Sequence, residues 1–279
     1  LSIGLQEPTQ PHLSRCPYYS DLLIDEKGQF PRLDLDGQIY LATTVGREFE
    51  ALCTKELSDF HFLKETRVIG RWRTDGKGEI KDNITDFAVE VFSNKVGRPV
   101  SKDKIFSYIY AVLHDPEYRT KYQTNLRREY PRVPVYQDFA NWVEIGSQLL
   151  ELHLEFDRAA PWPVERVHSS AALSGREIDD DAPILESHPE KGLILVDKHT
   201  MLSGIPERAW EYTVCGRSAV DWVLDQYRDR TPRDEVVRER FYKYDFSAHK
   251  EHVIDLLARV IRVSVQTCEL IDGMNRLRR

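Results

Sequence analysis

The amino-acid sequence predicts an α+β fold dominated by helices, with a central helical hairpin, a long C-terminal helix and short antiparallel strands. Residues 101–134 are apolar at helical spacing, then basic and rich in tyrosine, and two prolines close the segment. Residues 246–274 carry apolar residues at helical spacing over a longer stretch. Short runs of apolar and aromatic residues bounded by turn signals are typical of strands and account for much of the remainder.

Strands are predicted mainly in the first third of the chain. Residues 37–45 follow an Asp-Gly turn signal and read as a strand. Residues 49–63 are apolar at mixed spacing, and their pattern assigns neither helix nor strand. A second turn signal, Asp75-Gly76, lies between Arg73 and Glu79 and predicts a β-hairpin.

Capping residues delimit the predicted helices. Thr85 or Asp86 begins a helix that Gly97 ends, and Ser101 caps the next one. That second helix ends near His114, because the residue before a proline disfavours helical backbone angles.

The second helix of the hairpin begins after Asp115, which is a good N-cap, and has Pro116 in its first position. We predict that one face of this helix consists of the residues at spacing four, Tyr118, Tyr122 and Leu126. Asp-Pro-Glu-Tyr also differs by one residue from the Asp-Pro-Pro-Tyr motif of adenine methyltransferases. Helix capping accounts for its residues, so no catalytic role is assigned to them.

The second half begins with a predicted amphipathic helix over residues 136–156. Residues 158–192 are rich in Pro, Ala, Ser, Gly and acidic residues and are predicted to be a loop, a linker or a hairpin with a mobile tip. One or two strands over 193–206 and a helix over 218–228, capped by Ser218, precede the final helix.

These patterns suggest one large domain or two small ones. We divide the chain into a strand-rich part over 1–83, a helical core over 84–157, a variable loop or linker over 158–192, and a C-terminal strand–helix part over 193–279. The sequence begins without methionine, and we expect it to be a fragment of a longer polypeptide.

The four cysteines form no Cys-x-x-Cys pair, and the start of the chain lacks the features of a signal peptide. No apolar run approaches the ~20 residues of a membrane helix. We therefore expect a cytoplasmic protein without a membrane partner.

Charge is distributed unevenly along the chain. The formal net charge is −7, but residues 64–132 contain fifteen Lys and Arg against ten Asp and Glu, a net of +5, which leaves −12 for the rest. A basic region in an acidic protein can bind a polyanion such as DNA. Ordinary solvated surface is the alternative explanation.

Within this region the basic residues form three groups that include Arg67 and Arg132 and are interleaved with aromatic residues. Phosphate contacts use Arg and Lys, and base contacts use Arg, Gln or Asn. The candidate DNA-binding residues are Arg71, Arg73, Lys77, Lys81, Arg98, Arg119, Lys121, Gln123, Arg127 and Arg128.

Two alternative functions compete with DNA recognition. Glu79-Ile80-Lys81, with Asp59 or Asp75 upstream, has the form of a metal-dependent nuclease motif. The other alternative is a structural protein-interaction domain whose basic region contacts no nucleic acid. Apart from this weak nuclease motif, the sequence contains no catalytic or metal-binding pattern, and we expect neither activity nor cofactor in this chain.

Three passages resemble the C-terminal specificity domain of type I single-polypeptide (type ISP) restriction-modification enzymes. They are the hairpin over 101–134, the segment 49–63, and residues 202–227 with the final helix through Met274. Their order along the chain is also similar to that of the family. Residues 65–73 and 158–192 depart from it.

The resemblance implies a target-recognition domain that binds double-stranded DNA. In this family the same polypeptide carries nuclease, helicase-like and adenine-N6 methyltransferase domains, so the parent enzyme is expected to use S-adenosylmethionine, ATP and Mg²⁺. Shared passages cannot distinguish the targets of different members. Specificity is therefore predicted to lie in 64–83, in 158–192 or upstream of this chain.

Overall fold

The computed structural model describes residues 37–44, 48–55, 63, 66–74, 79–168, 182–228 and 245–277. Over these residues the fold is α+β, as predicted, with seven α-helices and short antiparallel strands. It divides into two compact units. The first comprises the described residues of Leu1–Glu155 and Glu269–Arg279, and the second is formed from Phe156–Cys268.

The first unit contains two small sheets. The strands are β1 (Tyr40–Thr44), β2 (Ala51–Thr54), β3 (Thr66–Gly70), β4 (Trp72–Thr74) and β5 (Ile80–Asp82). Strand β1 is central and pairs antiparallel with β2 and with β3. Strands β4 and β5 form a separate antiparallel ribbon, which agrees with the predicted hairpin. Its turn at Asp75-Gly76 lies outside the described residues.

Five helices follow in the first unit: α1 (Asp86–Val96), α2 (Lys102–His114), α3 (Pro116–Lys121), α4 (Gln123–Leu126) and α5 (Phe139–Leu154). The predicted caps are confirmed, since Thr85, Ser101 and Asp115 each accept hydrogen bonds from backbone N–H groups of the first turn. Gly97 ends α1 with a φ of 76°. Helix α5 is shorter than predicted because Asp138, immediately before it, adopts a left-handed conformation.

The second half of the hairpin differs from the prediction of one continuous helix. The helix breaks at Tyr122, which leaves α3 and α4 as separate short helices. Tyr118 and Leu126 are buried, as the spacing predicts, but Tyr122 is only half-buried. Residues 120–125 include two threonines and an asparagine, which have low helix propensity, so local hydrogen bonding does not hold a continuous helix here.

The core of the first unit lies between α2 and α5. Tyr108 is fully buried, stacks on Phe139 with 4.8 Å between ring centroids, and meets the edge of Phe92 at 5.5 Å. Its hydroxyl donates to the carbonyl of Pro134 (2.7 Å) and accepts the N–H of Tyr136 (2.8 Å). The irregular segment after the hairpin is thereby held against the core.

The second unit contains β6 (Glu165–His168), β7 (Pro183–His188), β8 (Leu193–Asp197), β9 (Thr200–Ser203), β10 (Thr213–Val214) and β11 (Arg217–Ser218). Helices α6 (Ala219–Tyr227) and α7 (Lys250–Arg276) complete the described elements. Helix α7 contributes residues through Cys268 to the second unit and those from Glu269 onward to the first. Among the described helices, none combines the length and the apolar composition needed for a membrane span.

The segment 158–192 is neither a simple loop nor a hairpin whose strands pair. It supplies β6 and β7, which form opposite edges of a four-stranded sheet in the order β6-β9-β8-β7. Residues 193–206 form the two central strands, in agreement with the prediction of one or two strands. Strand β6 was not predictable from the pattern because it is exposed along its whole length and shows no apolar alternation.

Two buried histidines make the stability of the first unit sensitive to acid. His153 Nδ1 and the Tyr110 hydroxyl share a hydrogen bond of 2.6 Å, and burial, with a smaller effect of Arg119, lowers the pKa of His153 to about 3. Burial also holds the pKa of His114 well below its ordinary value, with Arg119 and His153 adding to the effect. Both rings are therefore neutral in the folded protein at neutral pH.

The unfolded chain binds more protons at these histidines than the folded chain once the pH falls below ~6.5. Their contribution to stability is fully present above that pH and is lost as the pH falls, for His153 down to its folded pKa of about 3. We expect the free energy of unfolding to fall by up to about 1.4 kcal/mol per pH unit for each histidine. Urea denaturation between pH 7.5 and 5 should show a shallower dependence for His153→Gln than for the wild type. Equal slopes would contradict this explanation.

Candidate nucleic-acid interface

The β4–β5 ribbon presents two exposed cations side by side. Arg73 on β4 is the direct register partner of Lys81 on β5, so both side chains lie on the same face of the ribbon. Both residues are exposed, and Lys81 Nζ lies 3.8 Å from Glu79. Like charges directly opposite each other destabilise an antiparallel pair, and the Glu79 carboxylate beside Lys81 offsets part of this repulsion. Lys77 lies outside the described residues.

Arg71 differs from its neighbour Arg73, because it is only 5% exposed. Its guanidinium pairs with Asp82 at the end of β5 and, at 2.9 Å, with Asp103 in the first turn of α2. It also lies 4.7 Å from the centroid of the Trp72 ring. The charge of Arg71 is therefore paired with carboxylates of the protein itself, and these ion pairs connect the ribbon to α2.

Backbone contacts fix the ribbon at the same point. The side-chain amide of Gln38 donates to the Trp72 carbonyl at 2.9 Å, and its oxygen accepts the Trp72 N–H at 3.0 Å. The N–H of Arg71 donates to the carbonyl of Ile39 at 2.7 Å, and its carbonyl accepts the N–H of Asn83 at 3.1 Å. Arg73 and Lys81 thus project from an anchored element.

A second group of exposed polar and basic side chains surrounds α3 and α4. Its members are Lys121, Gln123, Arg127 and Arg128, and we call these residues the α3–α4 group. Arg98 is also exposed and follows the αL residue that ends α1, outside this group. The amphipathic spacing of the sequence therefore places these side chains on the surface, as predicted.

Arg119 belongs to the same stretch but is directed inward. Its Nε donates to the carbonyl of Leu113 at 2.6 Å, and its guanidinium pairs with Glu50 at 3.2 Å. It also lies 5.7 Å from the ring centroid of Phe49. Like Arg71, Arg119 is already engaged within the fold, so we exclude both from the surface proposed to contact DNA.

A pocket that no sequence pattern predicts adjoins the α3–α4 group. It is shallow, has a volume of about 500 Å³, and is lined by Arg67, Arg128, Glu129, Tyr130, Pro131 and Arg132. Arg67 on β3 lies over the Tyr130 ring, 4.6 Å from its centroid. The two sides of the pocket are distant in sequence, and an exposed tyrosine next to a proline is the only local signal for it.

The structure gives the nuclease motif no additional metal ligands among the described residues. Glu79 and Lys81 contact each other on the exposed ribbon, whereas Asp59 and Asp75 lie outside the described part of the chain. No group of three or more His, Cys, Asp or Glu residues in the described ranges could hold a metal ion.

An α+β domain that presents exposed cations from an anchored ribbon and a helical turn is typical of proteins that bind polyanions. The model of the Type ISP C-terminal specificity domain matches residues 10–256, and the chain belongs to this family. A comparison with curated proteins found no match.

Three solved structures are similar to this chain. The DrdV chain in a cryoEM structure of a DrdV–DNA complex is 37% identical with a TM-score of 0.77, over 85% of this chain and 24% of that one. A nuclease-deletion mutant of the Type ISP enzyme LlaGI, solved with a DNA substrate mimic, is 28% identical with a TM-score of 0.61, over 85% and 18%. The ATP-dependent Type ISP enzyme LlaBIII, solved bound to DNA, shares the fold at 23% identity and a TM-score of 0.70, over 91% and 17%. The chain therefore spans no more than about a quarter of the length of these solved chains.

Proposed function

We propose that this chain is the DNA target-recognition module of a restriction-modification enzyme and that it binds duplex DNA sequence-specifically. The observation that carries the proposal is its membership of the specificity-domain family, together with the relative of 37% identity that was solved in complex with DNA. The exposed cations of the first unit provide the chemistry that such binding needs, because phosphate contacts supply much of the affinity for DNA.

The two groups of cations are proposed to have different roles. The basic residues of the α3–α4 group, Lys121, Arg127 and Arg128, bind phosphates at the end of the helical hairpin, and Gln123 lies beside them. Arg73 and Lys81 project from the anchored ribbon, which belongs to the segment 64–83 that is predicted to carry specificity, and one of them reads a base edge. Chain connectivity keeps the ribbon close to the Tyr130 pocket, since the six residue-to-residue steps from Arg67, at the pocket, to Arg73 span at most about 20 Å. That distance is about six base pairs of B-DNA.

Arg71 supports recognition indirectly in this proposal. By pairing with Asp82 and Asp103 it holds the ribbon at a constant orientation relative to α2. A bidentate arginine–base contact requires such a rigid mount, because a displacement of ~1 Å would break one of its two hydrogen bonds.

Chemistry on the DNA is assigned to domains outside this chain. We propose that adenine-N6 methyltransferase, helicase-like and nuclease domains of the same polypeptide act on the site that this module selects. Those domains would use S-adenosylmethionine, ATP and Mg²⁺, and the enzyme would work in phage defence in the cytoplasm.

Phosphate contacts can be tested by the salt dependence of binding. The chain is titrated by fluorescence anisotropy against a duplex selected from a random pool and against a scrambled duplex, between ~50 and ~200 mM salt. Arg127→Ala and Arg128→Ala are each expected to weaken binding to both duplexes equally. Each should also lower the magnitude of the slope of log K against log salt by about 0.9, because it removes one ion-pairing phosphate contact. Lys191→Ala, an exposed residue of the second unit, should leave the slope unchanged.

Arg73→Ala in the same titration distinguishes base recognition from phosphate binding. Loss of the Arg73 side chain is expected to reduce the binding free energy for the selected duplex by about 1–3 kcal/mol and to change that for the scrambled duplex little. Binding that does not respond to salt would contradict DNA recognition by this chain. Arg127 and Arg128 variants that bind both duplexes like the wild type would instead leave the hairpin with a purely architectural role.

A further inference from the structure

We propose that the pocket beside α4 binds a single unpaired nucleotide of the DNA, with the base stacked on Tyr130 and its phosphate on Arg128. This inference rests on the proposed function, because it assigns a second mode of contact to the same nucleic-acid surface. No residue of the pocket other than Arg128 is among the predicted DNA contacts.

Tyr130 has the geometry of a stacking platform. It is 60% exposed although it is a large aromatic residue, and the Arg67 guanidinium lies over its ring at 4.6 Å from the centroid. Although Arg67 lies on one face, more than half of the residue's surface remains accessible to solvent. Bases stack on such rings in proteins that bind unpaired nucleic acid, and a neighbouring arginine strengthens the contact.

The backbone around Tyr130 is held in place by buried tyrosines. The Tyr118 hydroxyl donates to the carbonyl of Arg132 at 3.2 Å, and the Tyr108 hydroxyl donates to the carbonyl of Pro134 at 2.7 Å. The amide of Arg128 donates to the carbonyl of Asn125 at 2.9 Å, which fixes the other side of the loop. The pocket is therefore formed before any ligand binds.

The charges of the pocket favour an anion. Arg67, Arg128 and Arg132 contribute three positive charges, and Glu129 neutralises one of them through its pair with Arg132 at 2.9 Å. A phosphate alone would need the arginines but would gain nothing from the exposed ring. A flat aromatic base joined to a phosphate uses both features, and a volume of about 500 Å³ is large enough for one nucleotide.

The test compares three duplexes that differ at one position: fully paired, with one unpaired 2-aminopurine, and with one unpaired abasic residue. The wild-type chain is expected to bind the 2-aminopurine duplex more tightly than the abasic one. A stacked base is expected to raise the affinity by about five- to 150-fold. Tyr130→Ala should abolish this difference, whereas Tyr130→Phe and Tyr130→Trp should keep it, because they retain an aromatic face.

Phe87→Ala serves as the matched control, since Phe87 is an aromatic residue on α1 that is 75% exposed and does not line the pocket. It should leave all three affinities unchanged. Equal wild-type binding to the 2-aminopurine and abasic duplexes, or a difference that survives Tyr130→Ala, would overturn the inference while the proposed function stands. A chain that binds none of the three duplexes would overturn the proposed function itself.

Discussion

Gly146→Ala is expected to destabilise the first unit by about 3 kcal/mol or more, although alanine is the better helix former. Gly146 lies within α5, where α2 crosses it. An alanine Cβ at this position would lie 1.8 Å from the carbonyl oxygen of Ser107 and 2.6 Å from its carbonyl carbon. Both are backbone atoms of a buried helix and cannot rotate away, so α2 and α5 would have to move apart.

A second glycine in a helix provides the control. An alanine Cβ at Gly273 in α7 would meet only Ile145 Cδ1 at 3.7 Å, an ordinary contact with a flexible side chain. Gly273→Ala should therefore stabilise the protein by about 0.4–1 kcal/mol through the lower entropy of the unfolded chain. Urea denaturation followed by circular dichroism, with hydrogen exchange of α2 and α5 amides, measures both effects. A Gly146→Ala protein as stable as the wild type would contradict the close helix packing.

Tyr108→Ala is expected to cost about 3–5 kcal/mol, because it removes a fully buried aromatic ring from between α2 and α5. It also leaves the carbonyl of Pro134 and the N–H of Tyr136 without the hydroxyl that joins them. Tyr108→Phe separates these contributions, since it keeps the ring and removes the hydroxyl. We expect it to cost about 1–3 kcal/mol.

Thermal and urea denaturation of the Tyr108 variants should be compared with Tyr130→Ala. Tyr130 is 60% exposed, so its replacement should change the free energy of unfolding by less than about 0.5 kcal/mol. A Tyr108→Phe variant as destabilised as Tyr108→Ala would show that the hydroxyl, and not the ring, carries the effect. Spacing in the sequence pointed to Tyr122 as a core ring of this region, but Tyr122 is half-buried at the helix break, so Tyr108 is the more sensitive position.

The opposite environments of nearby arginines show where prediction from sequence ends. Arg71 and Arg73 both lie beside a predicted turn, yet Arg71 is buried between Asp82 and Asp103 and Arg73 is exposed. Arg119 lies on a basic helix with exposed Lys121 but contacts Glu50, which is remote in sequence. The sequence shows that an arginine or lysine can bind a phosphate. Only the tertiary contacts show whether its charge is already paired with a carboxylate of the protein.

By itself, the sequence determined the helix boundaries at Thr85 or Asp86, at Ser101, at Asp115 and at Ser218, the α+β class and the family. Caps depend on hydrogen bonds within about one turn, so the residues that make them are adjacent in the chain. The tertiary structure alone decided that β6 and β7 lie at opposite edges of one sheet, and that Gly146 meets the backbone of α2. It alone placed Arg67 over Tyr130. These contacts join segments far apart in sequence, and their geometry is set by how whole helices and strands pack, which no local pattern records.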